Sequence, residues 1–185
     1  MIGLRVLHLA TSLHAAQAGD VLTAIEWLKQ HGHEVAFAAG GEDDIPGVTM
    51  LRYRSGTASW WLGGKRALME QVVEWRPDVV HLHGREAMAA ARAIAKEIEV
   101  PVLVSVDAVL PPAKGKELND QVISWVLVPT EAHRAHYVGR VKLSRDNVAQ
   151  LPFAFNYEGL LGASMRVAHE ADAPPVIGLF AEPDD

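Results

Sequence analysis

The feature that most constrains this chain is its alternation of short apolar runs with stretches of helical period. Leu4 to Ala10 is an apolar run of strand length. After a polar loop, Val21, Leu22, Ile25 and Leu28 recur at helical spacing, with Asp20 expected as the cap and Gly32 as the closing glycine. His33 to Ala38 and Val48 to Tyr53 read as the second and third strands, separated by Gly40-Gly41 and Pro46-Gly47. The pattern continues with a helix from Lys65 to Glu74, its Leu68, Val72 and Val73 inward, and a strand from Asp78 to His83. An alanine-rich helix from Arg85 to Glu97 and a strand from Val100 to Val106 follow. A short helix from Lys114 to Asp120, a strand from Val122 to Val128, a Thr130-capped helix to Tyr137 and a strand from Asn147 to Leu151 complete the series. Parallel strands need long crossovers, and those crossovers are usually helices. The expected fold is therefore α/β: a doubly wound, mostly parallel Rossmann-like sheet flanked by helices, in a single domain. That domain is expected to span residues 1–170. Residues 171–185 read as a linker, Ala171 to Pro175, leading into one more strand, Val176 to Phe180.

Composition narrows the function classes. A chain of 185 residues with 49% hydrophobic residues has enough apolar surface for one sizeable core. The formal charge of -6 argues against a partner held by phosphate contacts, so no nucleic acid is expected. There is no cysteine, which excludes disulfides and thiolate zinc sites and suits a cytoplasmic location. No apolar run reaches about 18 residues, so no transmembrane segment is expected and any membrane contact would be peripheral.

Several segments carry candidate chemistry. The loop between the first strand and first helix, from Thr11 to Asp20, is where such a sheet binds anions, because helix N-termini present unpaired N–H groups. It holds Gly19 and His14 but neither GxGxxG nor GxxxxGK[ST], so dinucleotide and P-loop chemistry are poorly supported. His81 and His83 lie two apart at the end of a strand and so share a face. They either share a ligand, or one packs under a helix while the other caps the next turn. No carboxylate at familiar ligand spacing accompanies them, and no metal is expected. His133 and His136, three apart on a helix, read as a solvated face. Asp107 ends an apolar strand, where a carboxylate can hydrogen-bond a sugar hydroxyl, act as a base or cap the turn. Trp60 and Trp61 stand among Arg52, Arg54, Lys65 and Arg66. They either stack on a sugar, meet a membrane surface or partner domain, or plug the core beneath the next helix.

Taken in order, the strings are similar to those of family 4 glycosyltransferases. Leu4 to Leu9 followed by Lys29-Gln-His-Gly-His-Glu-Val35 resembles the family's opening, and Arg76-Pro-Asp-Val-Val-His-Leu-His-Gly84 resembles its RPDVVHxHG strand. Val100-Pro-Val-Leu-Val-Ser-Val106 is similar to IPVVVTVH, Val126 to Ala132 to vivPSea, and Val148-Ala-Gln-Leu-Pro152 to the exit from the first domain. Pro174 to Phe180 looks like the first strand of a second domain. The resemblance implies a GT-B fold and the N-terminal, acceptor-side half of a nucleotide-sugar-dependent hexosyl transferase that is not active alone. It implies a nucleotide sugar as substrate, a sugar or lipid-linked acceptor, a partner domain or subunit and no cofactor. His14, Gly19, His83, Gly84, Arg85 and Glu86, with Trp60 and Trp61, would bind substrate, and Asp107 would be catalytic.

The sequence also departs from the family pattern. The glycine-rich first loop reads His14-Ala-Ala-Gln-Ala-Gly-Asp20, and Asp107 stands where the family has the strand-ending histidine. Phe153-Ala154 replaces Asn-Gly, and Ala181-Glu182 replaces a Gly-Arg pair whose arginine would meet donor phosphates. These departures support an alternative: a non-catalytic domain, derived from a GT-B half, that binds a sugar or a partner.

Overall fold

The computed structural model describes residues 3–13, 18–40, 44–54 and 60–151. The chain divides into a unit of Met1–Phe155 and a unit of Asn156–Asp185, and all described residues belong to the first. The expected linker and final strand at 171–185 lie outside the described residues.

Among the described residues seven strands form one sheet: β1 (Arg5–Leu9), β2 (Glu34–Ala39), β3 (Thr49–Arg52), β4 (Val79–His83), β5 (Val102–Ser105), β6 (Ile123–Val128) and β7 (Val148–Gln150). Their spatial order is β3-β2-β1-β4-β5-β6-β7, and every pairing is parallel. The helices are α1 (Ala18–Gln30), α2 (Lys65–Trp75), α3 (Met88–Ile98), the short α4 (Pro112–Gly115) and α5 (Glu131–His136). This is a Rossmann-like α/β domain, as the alternation of runs requires.

A sheet buried on both faces makes its strands read as continuous apolar runs. Leu7, Leu9, Val80, Leu82, Val102 and Val104 point to one face and meet Leu68 and Val72 of α2 and Ala91 and Ile94 of α3. Val35, Phe37 and Ala39 point to the other and meet Val21 and Ile25 of α1. Alanines on α3 bring that helix close to the sheet, and its apolar face is buried from Met88 to Ala95. Gly32 closes the turn after α1 with φ of 80°, the left-handed conformation that glycine adopts without Cβ strain. Thr130 caps α5, its Oγ1 accepting from the His133 N–H at 3.2 Å.

Three local expectations are corrected. Asp20 lies inside the first turn of α1, because the helix begins at Ala18. Val73 of α2 is exposed: Leu68 and Val72, four apart, define the buried stripe, and the next residue turns away from it. His133 and His136 do not form a solvated face, since both are partly buried and hydrogen-bonded, His133 Nδ1 to Thr130 Oγ1 at 2.7 Å and His136 to a loop carbonyl. Trp60–Gly64 leads into α2 through a kink at Leu62 and Gly63, whose backbone is not helical.

Leu82 is fully buried on the central strand β4, whereas Leu62 is 84% exposed. Leu82→Ala should cost about 2–5 kcal/mol of stability by urea denaturation, and Leu62→Ala less than about 0.5 kcal/mol. Equal losses at the two positions would contradict this assignment of the core.

Candidate functional site

The winding of the chain reverses between β1 and β4. From β1 the chain steps outward to β2 and β3, and from β4 it steps the other way to β5, β6 and β7. Open sheets of this type leave a crevice beyond the C-terminal ends of the strands at that reversal. The segments that leave β1, β4 and the neighbouring β5 therefore frame the candidate site.

Behind β4, Gly84 adopts φ of 74°, and a Cβ there would run into the Glu86 carboxylate. Glycine is needed for this turn into α3. The Glu86 carboxylate folds back and accepts from the Arg85 N–H at 3.0 Å. The Arg85 guanidinium reaches Glu117, behind α4, at 3.5 Å. Behind β5, Asp107 is exposed at the same end of the sheet. Its loop is held from α5 and the turn after it. The Tyr137 hydroxyl donates to the Ala108 carbonyl at 2.6 Å, and His136 Nε2 donates to the Leu110 carbonyl at 2.8 Å. In turn, Arg134 Nε donates to the Val148 carbonyl of β7 at 3.0 Å. Burial raises the Tyr137 hydroxyl pKa; the Leu110 N–H opposes the rise, the Asp107 charge adds to it and Arg85 opposes it. Asp107 and Arg85 therefore both lie within electrostatic reach of one tyrosine.

The structure thus brings Gly84, Arg85, Glu86 and Asp107 to one end of the sheet, beside the buried His83. Gly19 lies in the first turn of α1. His14 and the side chain of Trp61 lie outside the described residues. Trp60 follows the core reading: it is 9% exposed and meets Tyr53 edge-on, with ring centroids 6.0 Å apart, so it offers no open face for stacking on a sugar. Glu117 and Tyr137 were not singled out from sequence, because neither stands in a motif and each is recruited by a contact about 30 residues away along the chain.

Beneath this crevice lies a second group, of which sequence spacing gave only two members. β1 and β4 pair with His8 opposite His81, so His8 shares a face with His81 and His83. His8 Nδ1 and His83 Nε2 share a hydrogen bond of 2.8 Å, and His81 Nε2 meets Ser105 Oγ at 2.7 Å. The ring centroids are 4.1 to 5.2 Å apart. His8 is 1% exposed, and its Nε2 is buried with no hydrogen-bond partner among the described residues. Both tautomers leave it so. If His8 Nδ1 donates to His83, Nε2 is a bare acceptor; if it accepts, Nε2 is an orphan donor. Such a group costs about 1–3 kcal/mol. Burial drives the His8 imidazole down to about 3, with the neighbouring His81 adding to the shift. Burial likewise lowers His81 to about 4 and His83 well below 6.5. All three rings are therefore neutral near pH 7. Among the described residues they are the one group of three whose side chains could hold a metal ion, with ligand atoms within 4.8 Å of one another. The expectation of no metal rested on His81 and His83 alone.

No family model and no curated protein matches the sequence. Solved structures do. A glycosyltransferase from Rickettsia africae is similar with a TM-score of 0.71 at 13% identity, over 94% of this chain and 52% of that one. The Anabaena protein HepE, in complex with UDP-glucose, matches with a TM-score of 0.64 at 9% identity, over 84% of this chain and 45% of that one. MurG of Acinetobacter baumannii matches with a TM-score of 0.61 at 12% identity, over 82% and 46%. The fold is GT-B glycosyltransferase-like. This chain spans about half the length of these three neighbours. Among the described residues no helix is long and apolar enough to cross a membrane.

The buried imidazoles give the fold an acid-sensitive stability. The unfolded chain takes up protons at these positions below a pH of about 6.5, whereas the folded chain resists until about 4 or lower. Their contribution is therefore fully present above about pH 6.5 and is lost as the pH falls through that value. Each ring accounts for about 1.4 kcal/mol per pH unit in this window. Urea denaturation in chelator-containing buffer should show several kcal/mol less stability at about pH 5 than at about pH 7, with a shallower dependence in His8→Leu. Equal midpoints at the two pH values would mean that the folded rings are charged or hydrated.

Proposed function

We propose that this chain is the acceptor-side, N-terminal half of a family 4-type glycosyltransferase that moves a hexosyl group from a nucleotide sugar to a sugar or lipid-linked acceptor. The observation that carries this reading is the convergence of Gly84, Arg85, Glu86 and Asp107 at the strand reversal of a GT-B-like domain. Ionic and hydrogen-bonding groups at the rim of such a crevice suit a polyhydroxylated ligand better than an apolar one. Asp107 would accept a hydrogen bond from an acceptor hydroxyl and draw its proton as the new bond forms. Arg85, steadied by Glu117, and Glu86 would orient neighbouring hydroxyls. Gly84 and Gly19 would keep the approach open, and His83 would floor it. The donor would be held chiefly by a second domain or subunit, and on its own the chain would not turn over. We place this activity in the cytoplasm, with no cofactor.

A second reading is favoured by Asp107 in the position of the family's histidine and by Ala181-Glu182 in place of Gly-Arg. It is a domain that keeps the sugar-binding crevice and has lost transfer.

Saturation-transfer NMR with a panel of mono- and oligosaccharides, alongside calorimetry with nucleotide sugars, tests both. The acceptor-side reading expects sugar binding that Asp107→Ala weakens about tenfold, which is about 1.4 kcal/mol. It also expects nucleotide sugars to bind no better than the free sugar. Tight nucleotide-sugar binding by this chain alone would overturn the acceptor-side assignment, and silence across all sugars would count against both readings. Transfer that appears when a donor-side domain is supplied, and vanishes in Asp107→Ala, would separate the enzyme from the binding domain.

A further inference from the structure

We propose that His8, His81 and His83 form a three-imidazole site for a divalent transition-metal ion of the zinc class, buried between β1 and β4. The evidence for the site does not depend on the transfer reading above, although the two share His83, and the site departs from the sequence expectation of no metal.

Three observations support it. The first is convergence. The parallel pairing of β1 with β4 sets His8 opposite His81, the two-residue strand period adds His83, and the three ligand atoms lie within 4.8 Å of one another. The second is an unmet need. Among the described residues His8 Nε2 is buried without a partner, in a strand whose neighbours Val6, Leu7, Leu9 and Ala10 are all buried and apolar. Three buried imidazoles that do not fully satisfy one another are costly to keep between apolar strands. The third is chemistry. Neutral imidazole is the commonest metal ligand among side chains, and three such rings meet here.

The ligand set selects the ion. Three nitrogen donors with no carboxylate and no thiolate suit zinc and its neighbours cobalt, nickel and copper, and not magnesium or calcium. Nitrogens bound to one tetrahedral ion at bonds of about 2.05 Å sit about 3.3 Å apart. The 2.8 Å hydrogen bond between His8 and His83 would therefore open by about half an ångström and be exchanged for two metal bonds. The His81 ring is already anchored by the Ser105 hydroxyl, the kind of outer contact that fixes a ligand ring. A fourth position would remain for water. Because the ligands come from the two central strands, the ion would act as a staple between β1 and β4 and as the floor of the crevice.

The 185-residue chain, freed of metal by a chelator and then dialysed, is titrated with Co2+ and with Zn2+. The expected result is one equivalent of Co2+ giving the visible absorption of a tetrahedral nitrogen site, displaced by Zn2+, together with a Zn2+-dependent rise in Tm. His8→Gln and His83→Gln should weaken binding roughly a hundredfold or more. The double variant His133→Gln, His136→Gln should bind like the unaltered chain. Absence of a 1:1 complex with the unaltered chain would overturn the proposal, as would binding that survives His8→Gln but disappears in the His133, His136 double variant. Should the ligand variants fail to fold, anomalous scattering at the zinc edge from crystals of the unaltered chain decides. A peak among the three rings supports the site, and a peak elsewhere or none refutes it.

Discussion

The pairing of β1 with β4 holds the rest of this domain in place. A peptide group buried in the middle of a sheet has no water to turn to, so both edges of each central strand must be paired. β1 meets this by taking β2 on one side and β4, some 70 residues later, on the other. Once that long-range pairing forms, the chain has to wind outward in opposite directions from the two strands. The opposite winding parts the helices and leaves the crevice. It also decides what lies under the crevice, because register with β4 puts His8 beside two histidines far from it in the chain.

The elements of the fold were legible because their signals are local. Doubly covered strands announce themselves as unbroken apolar runs, and Gly32 marks the end of α1 where left-handed backbone demands it. What escaped was whatever depends on partners distant in sequence. His133 and His136 carry no mark that one will meet Thr130 and the other the Leu110 carbonyl, 26 residues upstream. Adjacent tryptophans leave surface and core readings both open until Tyr53 is seen against Trp60. His8 did leave a trace, a lone polar residue inside an apolar strand, but its meaning needed the register of a parallel pair. At the crevice, Gly84, Arg85, Glu86 and Asp107 were accessible because strand C-terminal ends are where such sheets work. Glu117 and Tyr137 were not, since nothing in their own neighbourhoods distinguishes them.

Similarity at 9 to 13% identity to proteins that share this architecture has a physical reading. What such chains hold in common is the order of buried and exposed positions, not the side chains that do chemistry. A doubly wound sheet is tolerant of what its loops carry, and function resides in those loops. In this domain the loop groups largely satisfy one another: Glu86 leans on its own backbone neighbour, and Arg85 is steadied by Glu117. An incoming ligand would exchange contacts with groups already aimed, at less entropic cost than ordering free side chains.

The attachments around Asp107 run in series. β7 holds Arg134, Arg134 belongs to the same short helix as His136, and His136 with Tyr137 grips the carbonyls of Leu110 and Ala108. The last strand and the loop that carries the carboxylate are thereby joined through one short helix and the turn after it. The edge of the sheet farthest from β3 is thus tied by a chain of hydrogen bonds to the rim of the crevice.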